Sequence, residues 1–192
     1  MAEVFLFHHA LGLTPGVREF AETLSGAGHV LHTPDLYDGH VYDNLDAGLG
    51  YARDVGFATI MKRGESAVEG LPDELVYAGF SLGVMAAQKL AQSRPGAQGA
   101  VLMESCFPVE EFGDAWPNEV PVQIHGMDAD PFFTEEGGDL DAARAIVRSG
   151  ANADLFLYPG DRHLFADSSL GSYDDEAALL LIKRVLGFLA RN

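Results

Sequence analysis

A hydroxyl, an imidazole and a carboxylate, in the chain order Ser81, Asp130, His163, are the side chains whose types could make and break an acyl bond. Ser81 is the centre of Gly79-Phe80-Ser81-Leu82-Gly83, a G-x-S-x-G pentapeptide between the apolar run Leu75 to Ala78 and the helix-like run Val84 to Ala91. In a strand-to-helix turn that sharp, the serine backbone is strained and its hydroxyl is thrust out above the sheet edge. Glycines two residues either side leave room for the approach. The same five letters also describe a Gly-rich turn whose serine caps a helix, so context has to separate the two.

Serine is a poor nucleophile at neutral pH and needs a base within hydrogen-bond reach, itself oriented by an acid. His163 lies in Tyr158-Pro159-Gly160-Asp161-Arg162-His163-Leu164-Phe165, directly after the last strand-like run. Asp130 lies in His125-Gly126-Met127-Asp128-Ala129-Asp130-Pro131-Phe132, after the preceding one, with Asp128 as its rival. All three positions follow the carboxyl ends of expected strands, where open α/β sheets place their sites. An oxyanion also needs two donors. The amide of Leu82, next to the nucleophile, supplies one, and the loop His8-His9-Ala10-Leu11-Gly12 supplies the other through Ala10.

The elements that must hold these groups alternate. Apolar or β-branched runs at Val4 to Phe7, His29 to His32, Leu75 to Ala78, Gly99 to Met103, Val120 to Ile124 and Asp154 to Tyr158 read as six strands, most of them separated by helices. That order predicts a mostly parallel sheet covered on both faces. Thr14 as N-cap and Pro15 at the first position open a helix that Gly26 and Gly28 stop. Asn44 to Gly70 reads as a longer segment, helical in its second half and weakened by Gly48, Gly50, Gly56 and Gly64. Asp139 to Ser149 reads as a helix closed by Gly150. Ser172 with Asp175 resembles a capping box for the last helix, whose apolar stripe is Ala178, Ile182, Val185, Leu186 and Leu189.

Bulk properties narrow the function classes. The 192 residues, 47% hydrophobic, suffice for one core and one domain. A net charge of -17 repels phosphate backbones and anionic surfaces, so neither nucleic acid nor a membrane is an expected partner. The single cysteine, Cys106, excludes an intrachain disulfide, and the start of the chain lacks signal-peptide features, which together point to the cytoplasm. No apolar run reaches the roughly 18 residues of a membrane span. Neither metal-ligand spacing nor a phosphate-binding glycine loop is present, so no metal or cofactor is expected. A homodimer is left open.

With these motifs in place, the chain resembles the dienelactone hydrolase family of α/β-hydrolases, through FHHALGLTPGVREFAETLSGAGHVLHTPDLYDG (7 to 39), GFSLG (79 to 83), HGMDADPFF (125 to 133) and YPGDRHLFAD (158 to 167). The order Ser, Asp, His is that superfamily's triad order. The resemblance implies a compact hydrolase acting on a small ester or lactone. No large cap domain is expected, because only about sixteen residues lie between Met103 and Val120. It favours Asp130 over Asp128 through the Asp-Pro-Phe context. Three positions depart from the best-known members: Ser81 replaces a cysteine, His9 stands where a glutamate interacts with the thiol, and Asp167 replaces an arginine that holds a substrate carboxylate. Hydrolysis carries over, dienelactone as substrate does not, and His9 and Asp167 are expected to contact substrate. The rival reading is a binding protein that keeps the fold without turnover.

Overall fold

Three runs, Val76–Phe80 (β3), Gly99–Met103 (β4) and Val122–Met127 (β5), are buried at every position, as strands must be when helices cover both faces of a sheet. In this computed structural model, which describes residues 1–135 and 138–192, they form the middle of one six-stranded sheet. Glu3–Phe7 (β1) and Val30–His32 (β2) extend it on one side and Ala153–Tyr158 (β6) on the other. The order is β2-β1-β3-β4-β5-β6 and every pairing is parallel. The fold is a compact α/β-hydrolase architecture without a large cap.

The strand alternation sorts the core into two layers. Phe5, Phe7, Tyr77, Ala100, Leu102, Val122 and Ile124 face one way. There they meet Phe57–Ala67 (α3), Val84–Ser93 (α4) and Asp139–Arg148 (α6). Val4, Leu6, Val76, Ala78, Val101 and Met103 face the other way, toward Pro15–Gly26 (α1) and Asp175–Leu189 (α7). The expected Thr14 cap and Pro15 are in place, with the Thr14 side chain accepting the Val17 amide.

Several boundaries differ from the expected ones, each for a local reason. The segment 44–70 is two helices, Leu45–Val55 (α2) and α3, broken at Gly56, which turns the chain at φ 91°. Gly48 and Gly64 are not merely weak points inside them. A side chain at Gly48 would strike the Ala10 carbonyl, and one at Gly64 would meet Ala86 and the Phe7 ring. Close approach is what those glycines permit. The last helix is capped by Asp174, whose side chain accepts the Ala177 amide, because the Ser172 hydroxyl is directed instead to the Leu164 carbonyl. β5 runs past Ile124 to Met127, which carries the chain up to Asp130. Among the described residues no helix is long and apolar enough to cross a membrane.

Candidate active site

The chain leaves β1 toward β2 on one side, while β3 pairs with β1 on the other, so the strand order reverses between β1 and β3. Crevices form beyond the carboxyl ends of strands at such a point. The 8–12 loop after β1 and Ser81 after β3 meet there.

The elbow geometry is visible in the backbone. Ser81 has φ 45°, a left-handed conformation that costs a residue bearing a Cβ of order 1 kcal/mol or more. A side chain at Gly79 would press on the Gly83 and Val84 backbone, and one at Gly83 on the carbonyls of Phe7 and His8. The flanking glycines therefore let the turn fold on itself and seat against the end of β1.

From Ser81 a hydrogen-bonded series runs inward. Ser81 Oγ is 2.8 Å from His163 Nε2, and His163 Nδ1 is 2.7 Å from Asp130 Oδ2. The carboxylate can only accept, so Nδ1 carries the proton and Nε2 is left free to accept from the serine. Asp130 is fully buried and is held through its other oxygen: it caps Pro131–Thr134 (α5), its Oδ1 accepting the Phe132 amide. Asp128 is exposed, accepts the Gly160 amide and does not reach the imidazole. Burial pulls the His163 pKa down. The Asp130 hydrogen bond and the charges of Glu104, Asp130 and Asp139 outweigh it, and the net shift is upward. The loop carrying His163 is anchored by Phe165, fully buried against the Tyr158 ring.

These groups open onto a cleft of about 140 Å³ lined by Ala10, Leu45, Leu49, Ser81, Glu104, Phe132, Asp139 and His163. Larger hollows of about 260 and 320 Å³ lie at the opposite end of the strands and beside α4, but no base and nucleophile meet in them. Hydrogen-bonding geometry rather than size locates the site. Ala10 lines the cleft, and among the described residues its amide makes no hydrogen bond, so it is free to donate. Leu82 follows Ser81 at the head of α4. Phe132, half exposed, lays its ring 4.7 Å from that of His163.

Two expectations are corrected. His9 and Asp167 do not face the cleft. Both are buried, and His9 Nε2 lies 2.7 Å from Asp167 Oδ2. Asp167 also accepts the Thr14 and Ser169 hydroxyls and the Ser169 amide. Burial alone would raise its pKa, but the hydrogen bonds from His9, Ser169 and Thr14 reverse that to a net lowering. A carboxylate so fully satisfied holds two loops together. His9 Nδ1 accepts the Leu11 amide, so the pair braces the loop that carries Ala10.

The residue that motif reading misses is Glu104, one position past β4 and buried in the same cleft. A lone acid at the carboxyl end of a buried strand is the signal that could have found it. Asp139 also lines the cleft. Its carboxyl is pushed up by burial, against the opposing Ser105 hydroxyl and Cys106 amide. His8, His29, His32, His40 and His125 all bond to backbone or side chains of the fold. Cys106 is buried, and burial pushes its thiol out of the reactive range. Among the described residues no group of three or more His, Cys, Asp or Glu is placed to hold a metal ion.

The sequence pattern of the dienelactone hydrolase family matches residues 2–192. The chain belongs to that family. It is accordingly a hydrolase, of the kind that acts on carboxylic ester or lactone bonds. Solved structures agree on the fold of this family member. A dienelactone hydrolase-like promiscuous phosphotriesterase from metagenomic libraries superposes with TM-score 0.81 at 20% identity, over 100% of this chain and 86% of the other. A candidate dienelactone hydrolase of Klebsiella pneumoniae gives 0.74 at 20%, over 100% and 88%. Esterase 2 of Thermogutta terrifontis, phosphorylated by paraoxon in its structure, gives 0.65 at 18%, over 99% and 82%.

Proposed function

We propose that this dienelactone hydrolase family member is a serine hydrolase that cleaves small esters or lactones with an uncharged acyl end. The supporting observation is the series Ser81 Oγ, His163 Nε2, His163 Nδ1, Asp130 Oδ2, closed at 2.8 and 2.7 Å on the floor of the cleft. Ser81 attacks the carbonyl carbon as its proton passes to His163 Nε2. The tetrahedral oxyanion is met by the amides of Leu82 and Ala10, and collapse expels the alcohol with the His163 proton. Water, deprotonated by the same imidazole, then releases the acid from Ser81. Asp130 holds the imidazole in the tautomer that accepts from serine and favours the imidazolium. A cleft well under the roughly 300 Å³ at which ordinary ligand pockets begin suits a short acyl group. The -17 charge weighs against nucleic acid as a partner.

A fluorophosphonate probe tests the reading. Wild type should be labelled on Ser81 alone. Ser81→Ala should lose labelling and about 10³-fold or more in kcat while unfolding at the same temperature. A folded wild type that takes no label would instead favour a binding protein without turnover.

A further inference from the structure

Glu104 is a buried acid that the Ser81, His163 and Asp130 chemistry leaves without a task. Both of its carboxyl oxygens are inaccessible and have no hydrogen-bond partner among the described residues. Asp130 and Asp167, equally buried, are satisfied by two donors and by four. An orphaned buried carboxyl weakens a fold rather than supporting it. Its backbone adds to the cost, since Glu104 sits at φ 64° in the left-handed region. Strain and an unmet polar group at one residue in a cleft suggest a functional role.

The register explains its location. Phe80 pairs with Met103, so Ser81 and Glu104 are the next residues beyond the ends of neighbouring strands. Both line the cleft with His163. The charged groups facing the Glu104 carboxyl are His163, Asp130 and Asp167, with the Phe165 amide nearby but outside hydrogen-bond geometry. Asp139 acts on His163 from across the cleft.

We propose that Glu104 is a second acid for His163, a positioning residue whose charge joins that of Asp130 in stabilising the imidazolium formed when Ser81 gives up its proton. The proton passes from Ser81 Oγ to His163 Nε2 and on to the leaving group, and Glu104 neither gives nor takes one in the step. Burial pushes Glu104 up to about 7, opposed chiefly by His163. Glu104 in turn is the first charge, after the Asp130 hydrogen bond, that raises His163 against its own burial. The two titrate as a coupled pair, so the acid limb of activity belongs to both.

The inference rests on the serine hydrolase reading, and Glu104→Gln, with Glu104→Met as a second variant of similar size, separates the two. The readouts are kcat and KM from pH 5 to 9 on an uncharged ester, the NMR titration of the His163 ring, and the thermal midpoint. Loss of the Glu104 charge should lower the acid-limb and ring-titration midpoints by about one unit. The plateau kcat should fall roughly three- to tenfold with KM unchanged. The thermal midpoint at pH 8 should hold or rise, because the stability tied to a raised carboxyl is lost as pH climbs through about 7. Midpoints that coincide with wild type in both variants, or an activity loss that tracks only a fall in thermal midpoint, would overturn the proposal. If Ser81 takes no probe in wild type, the serine reading fails, and the ring titration still judges whether Glu104 and His163 are coupled.

Discussion

Asp139 illustrates how one charge at the cleft can set specificity. A substrate carboxylate about 5 Å from it, at an effective dielectric of about 20, meets a repulsion of roughly 3 kcal/mol. Asp139 is partly exposed, so screening reduces this, and about half of it is still close to tenfold in kcat/KM. At pH 8 wild type should prefer the methyl ester of a carboxylate-bearing lactone over the free acid by about that factor, and Asp139→Asn should narrow the gap. Asp167→Asn should leave it unchanged, because that carboxylate is enclosed with His9 and Thr14. Competition assays with the two substrates would decide it, and a preference for the free acid in wild type would sink the argument.

At the scale of elements, the site depends on how two loops are tied. Asp167 accepts hydrogen bonds from His9 in the loop after β1, from Thr14 at the start of α1, and from Ser169 in its own loop after β6. His9 passes the constraint to the Leu11 amide, next to Ala10. Asp167→Ala leaves the partners of a buried carboxylate unmet and should cost about 3 kcal/mol of stability. His9→Gln keeps a donor of similar reach to Asp167 but loses the ring nitrogen that accepts the Leu11 amide. It should lower kcat by about tenfold with KM little changed, since a displaced Ala10 amide is missed mainly when the oxyanion forms. A variant that raises KM alone would instead make His9 a ground-state contact.

Across the whole molecule, buried histidines govern behaviour in acid. Burial lowers His8 to about 4 and His125 to about 3. An unfolded histidine takes up its proton near 6.5. Unfolding therefore binds protons below that pH, and the stability present above 6.5 is lost as pH falls toward 4 and 3. Each residue should account for roughly 2 kcal/mol lost between pH 6.5 and 5. The raised Glu104 carboxyl opposes this by regaining stability as pH falls through about 7, so the comparison belongs in Glu104→Gln: urea unfolding at pH 5, 6 and 7 should show a steep decline there and about half that slope when His125→Leu is added. Equal slopes would mean that other groups drive it.

How much of this was legible in the sequence follows from the range of the interactions involved. The elbow is local: its glycines, strand and helix are contiguous, so G-x-S-x-G in that setting was sufficient to place Ser81. Alternating apolar runs likewise determined the parallel sheet, because burial on both faces leaves its mark residue by residue. His163 and Asp130 were legible as positions after strands, but only the parallel register brings β3, β5 and β6 level enough for contacts of 2.8 and 2.7 Å. His9 and Asp167, 158 positions apart, were misplaced for the converse reason: a histidine and an aspartate near catalytic motifs look like ligands for substrate until the fold pairs them with each other. Glu104 carried no motif at all. Its meaning comes from burial without a partner beside His163, a property of tertiary packing that no spacing along the chain can encode.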